Sequence, residues 1–169
     1  MKAKMFRALL PIAIVFTMVS CSSDQSEDTS ESRQVVTSYN YNDTELKLVA
    51  LINDYRASIG LNTLEVINHI SYKSEEHNIY MIDNNVVNHD YFQQRTNNLI
   101  QVLDAEKVGE NVAYNYQTAE SVMSAWLHSP SHKANIEEAD WTHMGISVTV
   151  DVNTGKKYYT NMFMKKRRD

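Results

Sequence analysis

One cysteine in 169 residues leaves no partner for an intramolecular disulfide, so the fold must hold by packing and hydrogen bonding. No apolar run reaches the 18 to 20 residues or so that a spanning helix needs. No internal repeat is present, and His-Glu-x-x-His, which sets two imidazoles on one helix face, does not occur. Positive charge is in deficit, with 16 Lys and Arg against 21 Asp and Glu and a formal net charge of −5. That balance excludes nucleic acid as the main partner, since phosphate neutralisation requires a basic surface. The basic run Lys165-Lys166-Arg167-Arg168 reads as solvated terminus.

What is present falls into three parts. Residues 1–20 have a basic start (Lys2, Lys4, Arg7), an uncharged stretch from Ala8 to Ser20 and a small residue at its end, the composition of a secretory signal. Met18-Val19-Ser20-Cys21 is similar to a bacterial lipobox, in which the cysteine takes up lipid. Cys21 is therefore the expected lipidation site, with palmitate-type chains anchoring the protein to the membrane without a spanning helix. Removing Lys2, Lys4 and Arg7 takes the formal charge from −5 to −8. Residues 21–42 are polar and acidic at first and read as a disordered tether. Residues 43–169 carry the folded domain.

Within that domain, Asn42-Asp43-Thr44-Glu45 reads as a capping box. Leu48, Leu51, Ile52 and Tyr55 follow at helical spacing, and Gly60 closes the helix. A second helix is predicted over 68–83, ended by Asn84-Asn85. Residues 88–110 show no clean period and read as a long polar connection. A short strand is expected after Glu110, where Val112, Tyr114 and Tyr116 alternate. Thr118 caps a third helix with Val122, Ala125 and Trp126 inside, and Pro130 stops it. A hairpin ends the chain, with Ile146, Val148, Val150 and Val152 on one arm, a turn at Asn153-Thr154-Gly155, and a return over 157–164. Helices before strands point to α+β with an antiparallel sheet.

Three motifs carry the chemistry: His89 in Asn88-His89-Asp90, Glu110 in Gly109-Glu110-Asn111, and His132 in Ser129-Pro130-Ser131-His132-Lys133-Ala134-Asn135-Ile136. Two imidazoles and a carboxylate can hold a divalent metal or run acid–base chemistry. No convincing nucleophile accompanies them. Glu110 can equally accept backbone hydrogen bonds as scaffold. Of the other histidines, His77 is expected in the core or behind the site, His69 exposed at a helix start, His128 outside any helical pair with His132, and His143 in a loop or at the cleft rim. The ten tyrosines are expected to pack the fold rather than form a contact surface.

These motifs, with Asn53-Asp54-Tyr55-Arg56, Gly60-Leu61, His77 with Met81, Ala125-Trp126 and Trp141-Thr142-His143-Met144-Gly145-Ile146, resemble the CAP superfamily (SCP domain) over roughly 44–164, in its short bacterial branch. The resemblance implies a three-layer α-β-α sandwich with a central antiparallel sheet and a cleft lined by His89, Glu110 and His132. It also implies zinc or another divalent metal on His89 and His132. The second glutamate of many members is missing, since Trp126-Leu127-His128-Ser129 holds no carboxylate, and Ser131 stands where glycine is usual. The expected protein is a monomeric module on the bacterial envelope, periplasmic or at the cell surface. Its cleft is expected to bind a lipid, peptide or glycan. A metal-assisted hydrolase, with Glu110 as base, and a non-catalytic envelope or adhesion protein are the alternatives.

Overall fold

The computed structural model describes residues 34–167. The expected signal segment, Cys21 and most of the expected tether lie outside them.

Helix α1 (Asp43–Ser58) starts at the capping box as the sequence predicts: the Asn42 side chain accepts from the Thr44 and Glu45 amides, and Glu45 reaches back to the Asn42 N–H. It ends where Gly60 turns the chain at φ +82° and Leu61 N–H bonds the Arg56 carbonyl. A two-residue strand β1 (Glu65–Val66) leads into α2 (Asn68–Asp83). The expected polar connection over 88–110 is instead α3 (Phe92–Leu103) followed by the first ten-residue strand, β2 (Ala105–Tyr114), with Glu110 inside the strand rather than before it. Both ends of α3 use non-glycine residues in the left-handed region, Tyr91 at φ 58° and Asp104 at φ 57°, and no side chain caps it. Helix α4 (Ala119–His128) starts at Thr118 as expected. Pro130 ends it but also opens α5 (Pro130–Glu137) from the first helical position, where its missing N–H costs nothing. Strands β3 (His143–Val150) and β4 (Lys157–Lys166) form the expected hairpin, although Val152 lies in the exposed turn and not in the strand.

The sheet order is β1-β3-β4-β2, antiparallel except that the short β1 runs parallel to β3. Both sheet faces are covered, which the alternation along β4 makes plain. Tyr159 and Phe163 pack into a core with Leu48, Ile52, Val122, Trp126, Ile136 and Trp141 from the α1, α4 and α5 side. Met162 and Met164 pack with Ile70 and Leu99 from the α2 and α3 side. This is the α-β-α sandwich. A Cβ on Gly145 would lie 2.3 Å from the Ser71 backbone nitrogen, so only glycine lets α2 lie this close to β3. Arg56, fully buried, donates from Nη1 to the carbonyls of Ile136 (2.7 Å) and Glu138 (2.9 Å), satisfying the C-terminal end of α5 from α1.

Residues 34–41 have no regular secondary structure but are fastened to the domain, so the tether reading does not extend to Asn42. Val36 N–H donates to His69 Nδ1 (3.1 Å), Tyr39 OH bonds Glu45 Oε1 (3.1 Å), and Tyr41 OH reaches Asn68 Oδ1 (3.1 Å). Beyond β1, the edge of β3 is closed by side chains: Ser71 Oγ accepts from Ile146 N–H (3.0 Å) and Glu45 Oε1 from Val148 N–H (2.8 Å).

Candidate functional site

His89 stands in the turn between α2 and α3. Its position is set from behind: Asn88 Oδ1 accepts from the Asp90 amide (3.1 Å), Tyr80 OH donates to Asp90 Oδ2 (2.7 Å), and His77 Nε2–H donates to the Asn88 carbonyl (2.9 Å). His77 is buried, as expected, and stacks on Tyr80 with ring centroids 5.9 Å apart. Burial pushes its pKa below the usual imidazole value; the nearby Glu110 opposes this and Arg95 adds to it.

Glu110 points from β2 toward α2 and α3, with its side chain 1 % exposed. A buried carboxylate needs a cation and full hydrogen bonding. Arg95 of α3 supplies both: Nε bonds Oε2 (2.9 Å) and Nη2 bonds Oε1 (2.8 Å), a two-point grip, while Nη1 holds the Asp90 carbonyl (2.7 Å). His89 Nδ1 completes the set at 2.8 Å from Oε1. Because a carboxylate only accepts, Nδ1 of His89 carries a proton, and in the neutral ring Nε2 is then the nitrogen with the lone pair. Glu110 is therefore the group that orients His89. With both oxygens gripped by Arg95, it does not sit as a free general base.

His132 lies on α5, in the opposite layer. Asn111, next to Glu110 but on the other sheet face, donates to the His132 carbonyl (3.0 Å), and Asn135 Nδ2 donates to Asn111 Oδ1 (2.8 Å) and to the Glu110 carbonyl (3.0 Å). These three bonds fix α5 against β2. Gly109 allows the approach, since a Cβ there would lie 2.8 Å from the Trp141 ring. His132 is half-buried, and burial holds its pKa below the ordinary value. A cleft of about 340 Å³ opens beside His132, lined by Val112, Ala113, Tyr114, Tyr116, Ala125 and Trp126 with Ser129. Two larger hollows, of about 440 and 350 Å³, lie where residues 34–40 meet α2 and contain none of the trio.

Glu110 and His89 are thus in direct contact, and His132 is tied to β2 through the bond from Asn111 to its carbonyl. Among the described residues no three His, Cys, Asp or Glu are grouped to hold a metal ion. The donor set that fits a cation is two imidazole nitrogens, one of them backed by a carboxylate in the manner of a metal-ligating histidine. The remaining histidines lie elsewhere. His128 is exposed and bonds the Ser124 carbonyl (2.7 Å). His143 opens β3 beside β1, 3.5 Å from Glu65 and at the far side of the sheet from β2, not at the cleft rim. His69 is buried rather than exposed, between Val36 N–H and Asn98 Oδ1 (2.8 Å). Arg95 is the functional residue that the sequence reading misses. Its signal is present: Phe92, Arg95, Leu99 and Leu103 fall three or four apart, and an arginine on such a stripe demands an acid partner.

A sandwich of this strand order defines a class of fold, and sequence comparison assigns it. Residues 49–163 match the cysteine-rich secretory protein family, CAP, and the chain belongs to that family. It is 30% identical over 128 residues to the uncharacterized membrane protein YlbC of Bacillus subtilis, covering 73% of this chain and 35% of the relative. The B. subtilis protein YkwD is 27% identical over 133 residues, covering 74% of this chain and 48% of YkwD, so the chain spans a third to a half of these relatives' length. An outer surface protein of Borrelia burgdorferi shares the fold, with a TM-score of 0.67 at 23% identity over 78% of this chain and 100% of that one. No helix among the described residues is long and apolar enough to cross a membrane.

Proposed function

We propose that the protein is a lipid-anchored, extracytoplasmic CAP module whose cleft, built on His89, Glu110 and His132, binds a ligand with the help of a divalent cation such as zinc. The contact that carries the reading is His89 Nδ1–H on Glu110 Oε1 at 2.8 Å, because it leaves Nε2 as a donor toward the cleft and fixes the ring. His89 and His132 would hold the ion. Such an ion would polarise an oxygen of whatever binds beside it. The chain's own residues orient the imidazoles, bury the carboxylate and line the adjoining hollow with apolar and aromatic surface. A binding role fits this arrangement better than hydrolysis, since Glu110 is committed to Arg95.

Calorimetric titration of zinc into wild type and into His89→Ala/His132→Ala tests the cation site. The reading expects binding to wild type and its loss in the double variant; negligible heat in both sinks it. Metabolic labelling with a palmitate analogue tests the anchor: wild type should label and Cys21→Ser should not, and equal labelling overturns the lipoprotein assignment.

A further inference from the structure

Tyr91 is placed where the terms that fold a chain do not favour it. It stands at the start of α3 with φ 58°, in the left-handed region where Gly, Asn and Asp are at ease and a bulky residue is an outlier. It is also the N-cap, a position that prefers Asn, Asp, Ser or Gly, and no side chain caps α3. The residue is 56 % exposed, so little apolar surface is buried in return. Its ring meets Tyr80 edge-on, with centroids 5.2 Å apart and planes at 87°, which offsets only part of the cost. An asparagine would suit the backbone, the cap and the exposure together. Strained residues of this kind cluster at ligand clamps.

A hollow lies beside it. Glu76, His77 and Tyr80 of α2, with Tyr91, Gln94 and Arg95 at the start of α3, line an open space of about 230 Å³. It includes none of His89, Glu110 and His132 and is separate from the cleft beside His132. Its aromatic wall is held in place, since Tyr80 OH donates to Asp90 Oδ2 and the Tyr80 ring stacks on His77. The wall carries both signs of charge. Arg95 brings a guanidinium whose three nitrogens are all engaged, with Glu110 and the Asp90 carbonyl. Glu76 brings a carboxylate paired with Lys73 at 2.8 Å. A cation would meet Arg95 and an anion would meet Glu76, so the wall selects against both. A purely apolar ligand would desolvate Glu76 and Gln94 without replacing their hydrogen bonds.

We propose that this hollow is a subsite for a neutral sugar, one ring of which stacks on Tyr91 while its hydroxyls bond Glu76 and Gln94. A sugar ring offers an apolar C–H face to an aromatic side chain and hydroxyl groups to a carboxylate and an amide, the combination that this wall requires. The volume is below the roughly 300 Å³ at which drug-sized sites begin, and it suits a single ring. The site stands apart from the cation site, so neither depends on the other.

Amide spectra of the full chain labelled with ¹⁵N, recorded without zinc, test this. The probes are the disaccharides of N-acetylglucosamine, glucose, galactose and mannose, titrated to millimolar concentration, with choline as a cation of similar size to one ring. At least one disaccharide should shift the Tyr80, Tyr91 and Gln94 amides saturably, and choline should not. Tyr91→Asn should weaken that binding about tenfold, as loss of an aromatic contact allows, yet melt at the wild-type temperature or above it. Tyr91→Phe keeps the ring and should bind as wild type does. The proposal is overturned if no disaccharide binds, if the shifts fall away from this hollow, or if Tyr91→Asn binds undiminished. Choline saturating the same amides would make it a cation site instead, and a lower melting temperature in Tyr91→Asn would make Tyr91 a packing residue. Zinc binding reads different residues, so the sugar subsite and the cation site can fail separately.

Discussion

Glu45 and Glu110 are both buried acids on the same small domain, and they are made tolerable in opposite ways. Among the described residues Glu45 forms no ion pair with a cation. Its oxygens accept from dipoles alone: the Asn42 N–H (2.8 Å), the Val148 N–H (2.8 Å) and Tyr39 OH (3.1 Å). Burial pushes its pKa up against the pull of those backbone bonds. Glu110 is met by a guanidinium at two points and by an imidazole. The first arrangement joins a helix start to a strand edge and ends there. The second leaves its imidazole half-exposed, with the far nitrogen unused by the bond to Glu110. A buried carboxylate therefore marks a site here only when its partner has a second, unused face.

The comparison can be broken from either end. Arg95→Ala should have the largest effect, about 3–5 kcal/mol of lost stability in chemical denaturation, because it strands the Glu110 charge. Adding Glu110→Ala to it should cost less than the two single losses combined, the signature of a coupled pair. Glu45→Ala should cost less, about 2–3 kcal/mol, by removing a helix cap and leaving the Val148 N–H unpaired. Tyr39→Phe should cost about 1–2 kcal/mol, since the contacts of its hydroxyl to Glu45 and Ser147 are lost at a half-buried position. The smallest effect is spread over pH. His77 and His132 have folded pKa values below the ordinary 6.5, so the unfolded chain takes up protons first. Their contribution is fully present above pH 6.5 and is lost as pH falls toward the folded values, and thermal melts between pH 7.5 and 5.5 should move down accordingly. His77→Gln should flatten that slope, and an unchanged slope would place the titration elsewhere.

Where the determinants are local, the sequence carries them. The capping box at Asn42, the turn at Gly155 and the spaced hydrophobics of α1 need only neighbours to explain them, and the trio's motifs identify the family. The differences have tertiary causes. Helix α3 lacks side-chain caps and ends on a left-handed aspartate, so nothing local announces it; contact with β2 holds it. His69 looks exposed in the sequence because its partners, Val36 and Asn98, lie 33 and 29 residues away. Pro130 reads equally as a stop or a start, and only the space beside β2 decides. Arg95 is hidden by the same gap that hides α3, and with it the reason for Glu110.

The central claim is that Glu110 fixes the tautomer of His89 and so aims its Nε2 at the cleft. A long-range ¹H–¹⁵N spectrum of the imidazoles at neutral to mildly alkaline pH, with and without zinc, measures this directly. The account predicts a protonated Nδ1 and a bare Nε2 on His89, with His89 and His132 shifting together when zinc is added and the pattern lost in Glu110→Ala. A protonated Nε2 on His89, or zinc shifts that leave both histidines unmoved, would contradict it.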